Sequence, residues 1–371
     1  MSRVLAAWAD AASAVTSSRR TRTVRMGGTS LMPVTYSIIE VPPIRTVLVR
    51  LLLVTALAAS AQAAKTLDIY FIDVEGGQST LIVPPSGQAL LIDTGYAGNS
   101  GRDAIRIAAA AKAAGVKKID TLLITHFHGD HVGGVPNLLE RLPVATFLDH
   151  GPSVEDENKY PEPYEKAFGA SPHKVIAPGD KIPIKGLDVT VLTAAGRHLD
   201  RKGEPNPYCA GLKAVEGETG ENPQSAGVLI QYGKFRFVDP GDIIWNEELA
   251  LECPDNKVGK VDVYLTAHHA THVSPKSVYA LAPRVIVMDN GPRKGGIPEA
   301  WNLLHATPGL EDIWQLHFSV TGGKDHNPAD PFIANLEEQC QGMYLKLSAS
   351  EDGSFTLFNP RNKYSKAYPA K

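Results

Sequence analysis

From residue 66 onward, short apolar runs alternate with turn residues. Leu67–Asp73, Gln78–Val83 and Ala89–Asp93 have the spacing of strands, separated by Glu75-Gly76-Gly77 and by Pro84-Pro85-Ser86-Gly87. Ala-rich Arg102–Ala114 predicts a helix that stops at Gly115. The apolar run Ile119–Thr125 predicts a buried strand, Val135–Leu142 a helix and Val144–Asp149 another strand. Residues 151–224 are rich in Pro, Gly and charge, with short strands near Lys174–Ile176 and Leu187–Leu192, as expected of insertion material over a site. Regular patterning returns with Ala226–Tyr232 and Lys234–Val238, a hairpin about Gly233. A helix at Trp245–Leu251, a strand at Val261–Thr266, a helix at Pro275–Leu281, a strand at Val285–Met288 and a helix at Pro298–Ala306 follow. Met343–Leu347 and Ser354–Phe358 close the chain as a hairpin. Strands and helices alternate and then alternate again, without repeats or an interdomain linker. That order predicts an α/β fold, two sheets between helices, in one domain over 64–371.

The first 63 residues follow a different pattern. They hold seven Arg against Asp10 and Glu40 and include the run Leu51–Ala59, flanked by Arg50 and by Ala61-Gln62-Ala63. A basic stretch, a short apolar core and an Ala-x-Ala ending make a secretory signal, with cleavage expected after Ala63 or one residue later. The run is shorter than the roughly 20 residues a bilayer span needs, so no stable span is expected after cleavage. Met26 and Met32 are alternative starts that would give the signal a more usual length. The expected location is exported, periplasmic or secreted.

Removing that segment leaves 30 basic and 38 acidic residues, a formal −8. Such a body is not expected to bind extended nucleic acid, which demands many Lys and Arg contacts to phosphate. A small molecule or short phosphoester remains open as substrate, and nothing in the pattern fixes an oligomeric state. The three cysteines, Cys209, Cys253 and Cys340, form no Cys-x-x-Cys pair, which argues against a cysteine zinc site. In an oxidising compartment Cys209 and Cys253, both in loop-like stretches, are the candidates for one disulfide; three free thiols are the alternative.

The predicted strand Ile119–Thr125 runs into His126-Phe127-His128-Gly129-Asp130-His131. His126 and His128, two apart, project to one side of extended backbone. Gly129 lets the chain turn and bring Asp130 and His131 back to the same space. Two imidazoles for one ion, and a carboxylate with an imidazole for another, suit a pair of borderline cations such as zinc. A second concentration follows at His268-His269-Ala270-Thr271-His272.

His126-x-His128-x-Asp130-His131 after an apolar strand resembles the signature of the metallo-β-lactamase superfamily. Leu91-Ile92-Asp93-Thr94-Gly95 resembles its first motif, whose Asp orients a ligand. Phe237-Val238-Asp239-Pro240-Gly241-Asp242 resembles the strand whose carboxylate bridges two metals, and Thr266-Ala267-His268-His269 the last motif. The resemblance covers about residues 66–320. It implies an αββα four-layer sandwich and a dinuclear hydrolytic site with His126, His128, Asp130, His131, Asp242 and His269 as ligands. Two divalent cations, zinc or manganese, would share and acidify a water; Asp130 and His268 would assist catalysis. Asp242 is preferred to Asp239 as the bridge because Gly241-Asp242 keeps the family spacing. Phe71–Ser79, the double His268-His269 and Asp289-Asn290-Gly291-Pro292 are similar to the hydrolase domain attached to the DNA-uptake channel ComEC and its exported phosphodiesterase-like relatives.

One stretch departs from that family. Where its third motif carries a His, this chain reads Gly220-Glu221-Asn222-Pro223-Gln224-Ser225. Glu221 or Asn222 would replace the ligand, unless His150 or His198 reaches in from a loop. The expected function is an exported phosphodiesterase or nuclease-like hydrolase. Acyl hydrolysis, by a lactonase or β-lactamase, is the alternative, and a non-catalytic binding protein of the same fold the second. Arg293 and Lys294 are candidates for an anionic group or for a solvated turn. Export has a direct check: N-terminal sequencing of the mature protein from its native host should begin near Ala64, whereas intact residues 1–63 on a cytosolic protein would refute the signal.

Overall fold

Alternation along the strands sorts their side chains into separate cores. In Leu67–Phe71, Leu67, Ile69 and Phe71 enter one buried cluster and Tyr70 another; in Val285–Met288, Val285 and Val287 share the first cluster while Ile286 and Met288 join a third. Period-two side-chain projection does this wherever both faces of a sheet are covered. The first cluster fills the space between two sheets, with the Phe71 and Phe237 rings meeting edge-on at 5.6 Å. The second lies under the helices Arg102–Ala113, Val135–Leu139 and Pro161–Phe168. The third lies under Trp245–Glu252, the 3-10 turn Lys276–Leu281 and Pro298–His305. The layers run helix, sheet, sheet, helix, as the αββα expectation requires.

The computed structural model describes residues 66–217 and 219–371, together with the backbone of 17–23 and 33–39. The chain divides into two compact units, Met1–Ala64 and Lys65–Lys371. In the first, Ser17–Thr23 pairs antiparallel with Pro33–Ile39. The sequence shows no periodicity there because Ser17–Thr23 consists only of Ser, Arg and Thr and has no apolar face. The apolar run Leu51–Ala59 and the cleavage site lie outside the described residues. Among the described residues no helix is long and apolar enough to cross a membrane.

In the second unit the nine-stranded sheet runs Tyr364–Tyr368, Phe355–Asn359, Leu345–Ala349, Leu67–Phe71, Thr80–Val83, Leu90–Ile92, Thr121–Leu123, Phe147–Asp149, His173–Val175. The eight-stranded sheet runs Ile333–Asn335, Asp312–His317, Val285–Met288, Val263–Leu265, Phe235–Asp239, Val228–Tyr232, Asp188–Val191, Lys181–Ile182. The stretch 151–224 is therefore more than loop: it holds the helix Pro161–Phe168 and supplies an edge strand to each sheet. Sequence patterning did not find Asp312–His317, which buries Gln315 and His317 beside Trp314 and so lacks an apolar signature. Cys209 and Cys253 are joined in a disulfide with Cα atoms 5.8 Å apart, and Cys340 is a free thiol.

A buried ionic clamp ties the sheets together at one end. Asp73, just past Leu67–Phe71, faces His317 at the end of Asp312–His317: the Nε2–Oδ2 distance is 3.0 Å. Arg106 donates to the same oxygen at 3.0 Å and to Glu75 at 2.9 Å, and Cys340 Sγ lies 3.5 Å from His317 Nε2. Burial alone would lower the His317 pKa, but the hydrogen bonds to Asp73 and Cys340 and the Asp73 charge outweigh it and push it up to about 9. A histidine raised above its ordinary 6.5 contributes stability fully below that value and loses it as pH rises through about 9. Urea unfolding between pH 6 and 10 should show the wild type losing stability across this window and His317→Ala losing less; parallel curves would refute the clamp.

Candidate metal centre

Each loop that carries a candidate site residue leaves the end of a strand at the same edge of the sandwich. Thr121–Leu123 leads to His126–His131, Phe235–Asp239 to Asp242, Val263–Leu265 to His268 and His269, and Val285–Met288 to Asp289. Parallel neighbours place their C-terminal ends side by side, so the loops converge. The turn after Val263–Leu265 is unusually tight: His268, His269 and Ala270 have φ of 50°, 55° and 56°. Three successive non-glycine residues in the left-handed region are costly, and the neighbouring loops hold them there.

Asp130, His131, Asp242 and His269, all buried, bring one donor atom each within 4.8 Å of one another. Asp242 Oδ2 is the common point. His131 Nε2 lies 3.2 Å from it, His269 Nε2 3.3 Å, His268 Nε2 3.7 Å and His126 Nε2 3.9 Å. His128 extends the set: its Nδ1 is 3.0 Å from His126 Nε2, while its Nε2 faces Glu155 at 3.3 Å. Outer contacts fix the rings. Asp93 Oδ2 takes His131 Nδ1–H at 2.7 Å and Asp289 Oδ2 takes His269 Nδ1–H at 2.9 Å, so both Nε2 atoms face inward. Thr125 Oγ1 donates to Asp93 at 2.7 Å and stands 3.1 Å from His126 Nδ1.

The electrostatics ask for positive charge. Burial would raise the pKa of Asp242, but His131 and His269 outweigh it and hold the carboxyl well below the usual range. Asp130 is likewise lowered: burial opposes, while His131, His269 and Lys294 prevail. Burial would lower His131 and His269, yet Asp242 above all drives both well above ordinary histidine. Imidazolium protons thus hold places that a cation would fill. Asp242 Oδ1 is buried without a hydrogen-bond partner while Oδ2 meets four imidazoles, which fits a carboxylate bridging two ions.

The sequence-stretch candidates for the missing third histidine separate clearly. Glu221 accepts from Phe127 N, His150 Nε2, Ser153 Oγ and Val154 N, and these bonds, against the opposing effect of burial, lower its pKa to about 2. Its carboxylate is committed to bracing the loop, and so is His150. His198 sits exposed in the short strand Arg197–His198. Asn222 is at the site: its Nδ2 is 3.5 Å from His268 Nε2 and its Oδ1 is buried without a partner. Asp239 lies outside the cluster, bonded to Gln78 Nε2 at 2.8 Å, and burial followed by the Asp93 charge pushes its pKa up to about 7.

The profile of the metallo-beta-lactamase superfamily matches residues 72–288. The chain belongs to the metallo-beta-lactamase superfamily. It carries the dinuclear type of metal-site cluster found in a metal-dependent hydrolase. Similar curated proteins include a hydroxyacylglutathione hydrolase of Idiomarina loihiensis, 30% identical over 84 residues, which are 23% of this chain and 27% of the relative. A ribonuclease Z of Alkaliphilus oremlandii is 35% identical over 71 residues, 19% of this chain and 20% of that protein. The chain thus spans under a third of the length of either relative. Among solved structures, the metallo-beta-lactamase fold protein YhfI from Bacillus subtilis aligns with 76% of this chain and 100% of its own at 10% identity, with a TM-score of 0.43.

Reading the sequence for motifs missed Asp289 as a member of the site, and it left Lys294, which contacts Asp130, between an anion contact and a solvated turn. Asp289 follows an apolar strand as Asp93 does, and that placement is the signal that marks it. Removing a carboxylate that orients a metal-binding imidazole typically costs about 10–100-fold in affinity. Asp289→Ala should weaken metal binding by about that factor, read by competition with a chromophoric chelator; unchanged affinity would show that His269 needs no such support.

Proposed function

We propose that the chain is an exported metal-dependent phosphoester hydrolase, a phosphodiesterase or nuclease-like enzyme of the ComEC-like branch. The convergence of Asp130, His131, Asp242 and His269, with His126 and His128 beside them, carries the reading. Asp130, His131, Asp242 and His269 suit one ion. His126 and His128, with Asp242 shared and Asn222 or His268 completing the set, suit the other. Two divalent cations bound there, zinc or manganese, would supply an acidified water and a polarising charge on the substrate oxygen.

The chain's own groups do the rest. Asp130, among the buried donors, would orient the attacking water and receive its proton. His268, whose pKa burial above all lowers to about 4, stays a neutral imidazole and can donate a hydrogen bond to the leaving oxygen. A groove of about 710 Å³ opens from His128 along residues 155–160 and gives a small substrate access. The export signal and the Cys209–Cys253 disulfide together support an oxidising compartment. The alternative, acyl hydrolysis, draws support from the hydroxyacylglutathione hydrolase among the relatives.

Asn222 in place of an imidazole gives one site a harder oxygen donor, which shifts preference toward manganese. Dialysis against chelator should abolish hydrolysis of bis(p-nitrophenyl) phosphate, with Mn²⁺ or Zn²⁺ restoring it. Asn222→His should tighten the weaker zinc site in the same titration. Full activity without metal would refute the proposal, and turnover of a lactone or thioester panel with none of the diester would favour acyl hydrolysis.

A further inference from the structure

We propose that Lys294 is the residue that binds the anionic oxygen of the substrate, so that the site selects a monoanionic diester over a neutral ester. This rests on the hydrolytic reading and names the group it recognises. Lys294 Nζ contacts Asp130 Oδ2, yet the lysine side chain is 35% exposed against 11% for Asp130. The lysine side chain is therefore partly open to solvent beside the donor cluster, where an entering substrate can reach it. The Tyr96 ring lies beside it, with Nζ 5.9 Å from the centroid.

The position is built rather than incidental. Gly291 N bonds to the Lys294 carbonyl at 2.8 Å, and Gly296 N bonds to the His269 carbonyl at 3.1 Å. A Cβ on Gly295 would fall 2.1 Å from that same carbonyl, and one on Gly76 would fall 2.9 Å from Lys294 Cβ. Only glycine permits these approaches, so the lysine stem is wedged between the 73–78 loop and the turn carrying His269. A pre-set ammonium loses little freedom when it binds an anion.

Charge counting points the same way. Asp93, Asp130, Asp242 and Asp289 place four carboxylates on or around the donor atoms. Two divalent cations would neutralise them, and the Lys294 charge, which Asp130 holds in their absence, would then be available to an anionic ligand. Arg293 does not compete for that role: it is exposed and held by Glu338 at 2.7 Å. The groove beside His128 carries Glu155, Asp156 and Glu157 against the single cation Lys159, an acidic balance that repels a polyanion and favours a ligand with a single negative group.

The test uses the metal-loaded full protein, with metal stoichiometry measured for every variant. Calorimetry with inorganic phosphate should show binding to the wild type, about tenfold weaker binding to Lys294→Met, and recovery of most of it in Lys294→Arg. Arg293→Met should match the wild type. The ratio of kcat/KM for bis(p-nitrophenyl) phosphate to that for p-nitrophenyl acetate should fall about tenfold in Lys294→Met. Absence of phosphate binding in the wild type, equal affinity in Lys294→Met, equal loss on both esters, or metal lost along with the lysine would each overturn the assignment. Phosphate binding that depends on Lys294 without any diester hydrolysis would instead sink the phosphoester reading and leave the anion site standing.

Discussion

Four imidazole nitrogens within 3.9 Å of one carboxylate oxygen, that of Asp242, set the terms for the rest of this structure. A carboxylate buried to 1% exposure is expensive unless opposite charge meets it at close range. Of the four, His131 and His269 meet it with protons when no ion is bound: burial opposes, but the Asp242 charge drives their pKa values up. That arrangement is polar, dense and unable to collapse into an apolar core. It therefore has to sit where strand ends deliver loops to one place. The αββα architecture does this by giving its parallel strands a common C-terminal edge.

The cost of that assembly shows in the backbone. Asp93, His268, His269 and Ala270 all occupy the left-handed region. Each is held by contacts from a different chain segment: Asp93 by Thr125 and His131, His269 by Asp289, and the 268 turn by the carbonyl of Gly241, which accepts from His268 N at 3.2 Å. The sheets themselves are pinned near the same edge by the Asp73–His317–Arg106 clamp. Glu75 joins that clamp and lies only three residues before Gln78, which braces Asp239. Support for the site is thus continuous with what joins the two sheets.

Much of this was legible in the sequence because it was local. The His126–His131 run, Gly241-Asp242 and His268-His269 each follow an apolar strand; spacing brings the side chains of the first run together, and the resemblance to the superfamily's motifs joins the other two to it. Apolar strands such as Val285–Met288 were equally plain. What escaped had no local signal. Asp312–His317 hides two polar side chains in the core, and the edge strand Tyr364–Tyr368 alternates Tyr, Ser, Lys, Ala, Tyr with only one buried residue. Of the two strands of the N-terminal unit, Ser17–Thr23 is too polar to announce itself. Lys294 looked like a turn residue because its partner, Asp130, is 164 positions away.

The departure at the third motif shows why a substitution there is not a simple vacancy. Glu221 occupies the stretch where the family carries a ligand, yet four donors from 127 and 150–154 have claimed its oxygens. The same residue that could have bound a cation instead anchors the loop leading to the acidic rim and the open groove at His128. Asn222, one position later, then stands beside His268, and it is neutral where a glutamate would be charged. A neutral oxygen donor would add no negative charge to a cluster already holding Asp130 and Asp242, so cations bound there would keep more of their polarising power. Committing the Glu221 carboxylate to the 127 and 150–154 segments braces the loop, and it would leave a metal-loaded site more electrophilic than a glutamate among the donors would.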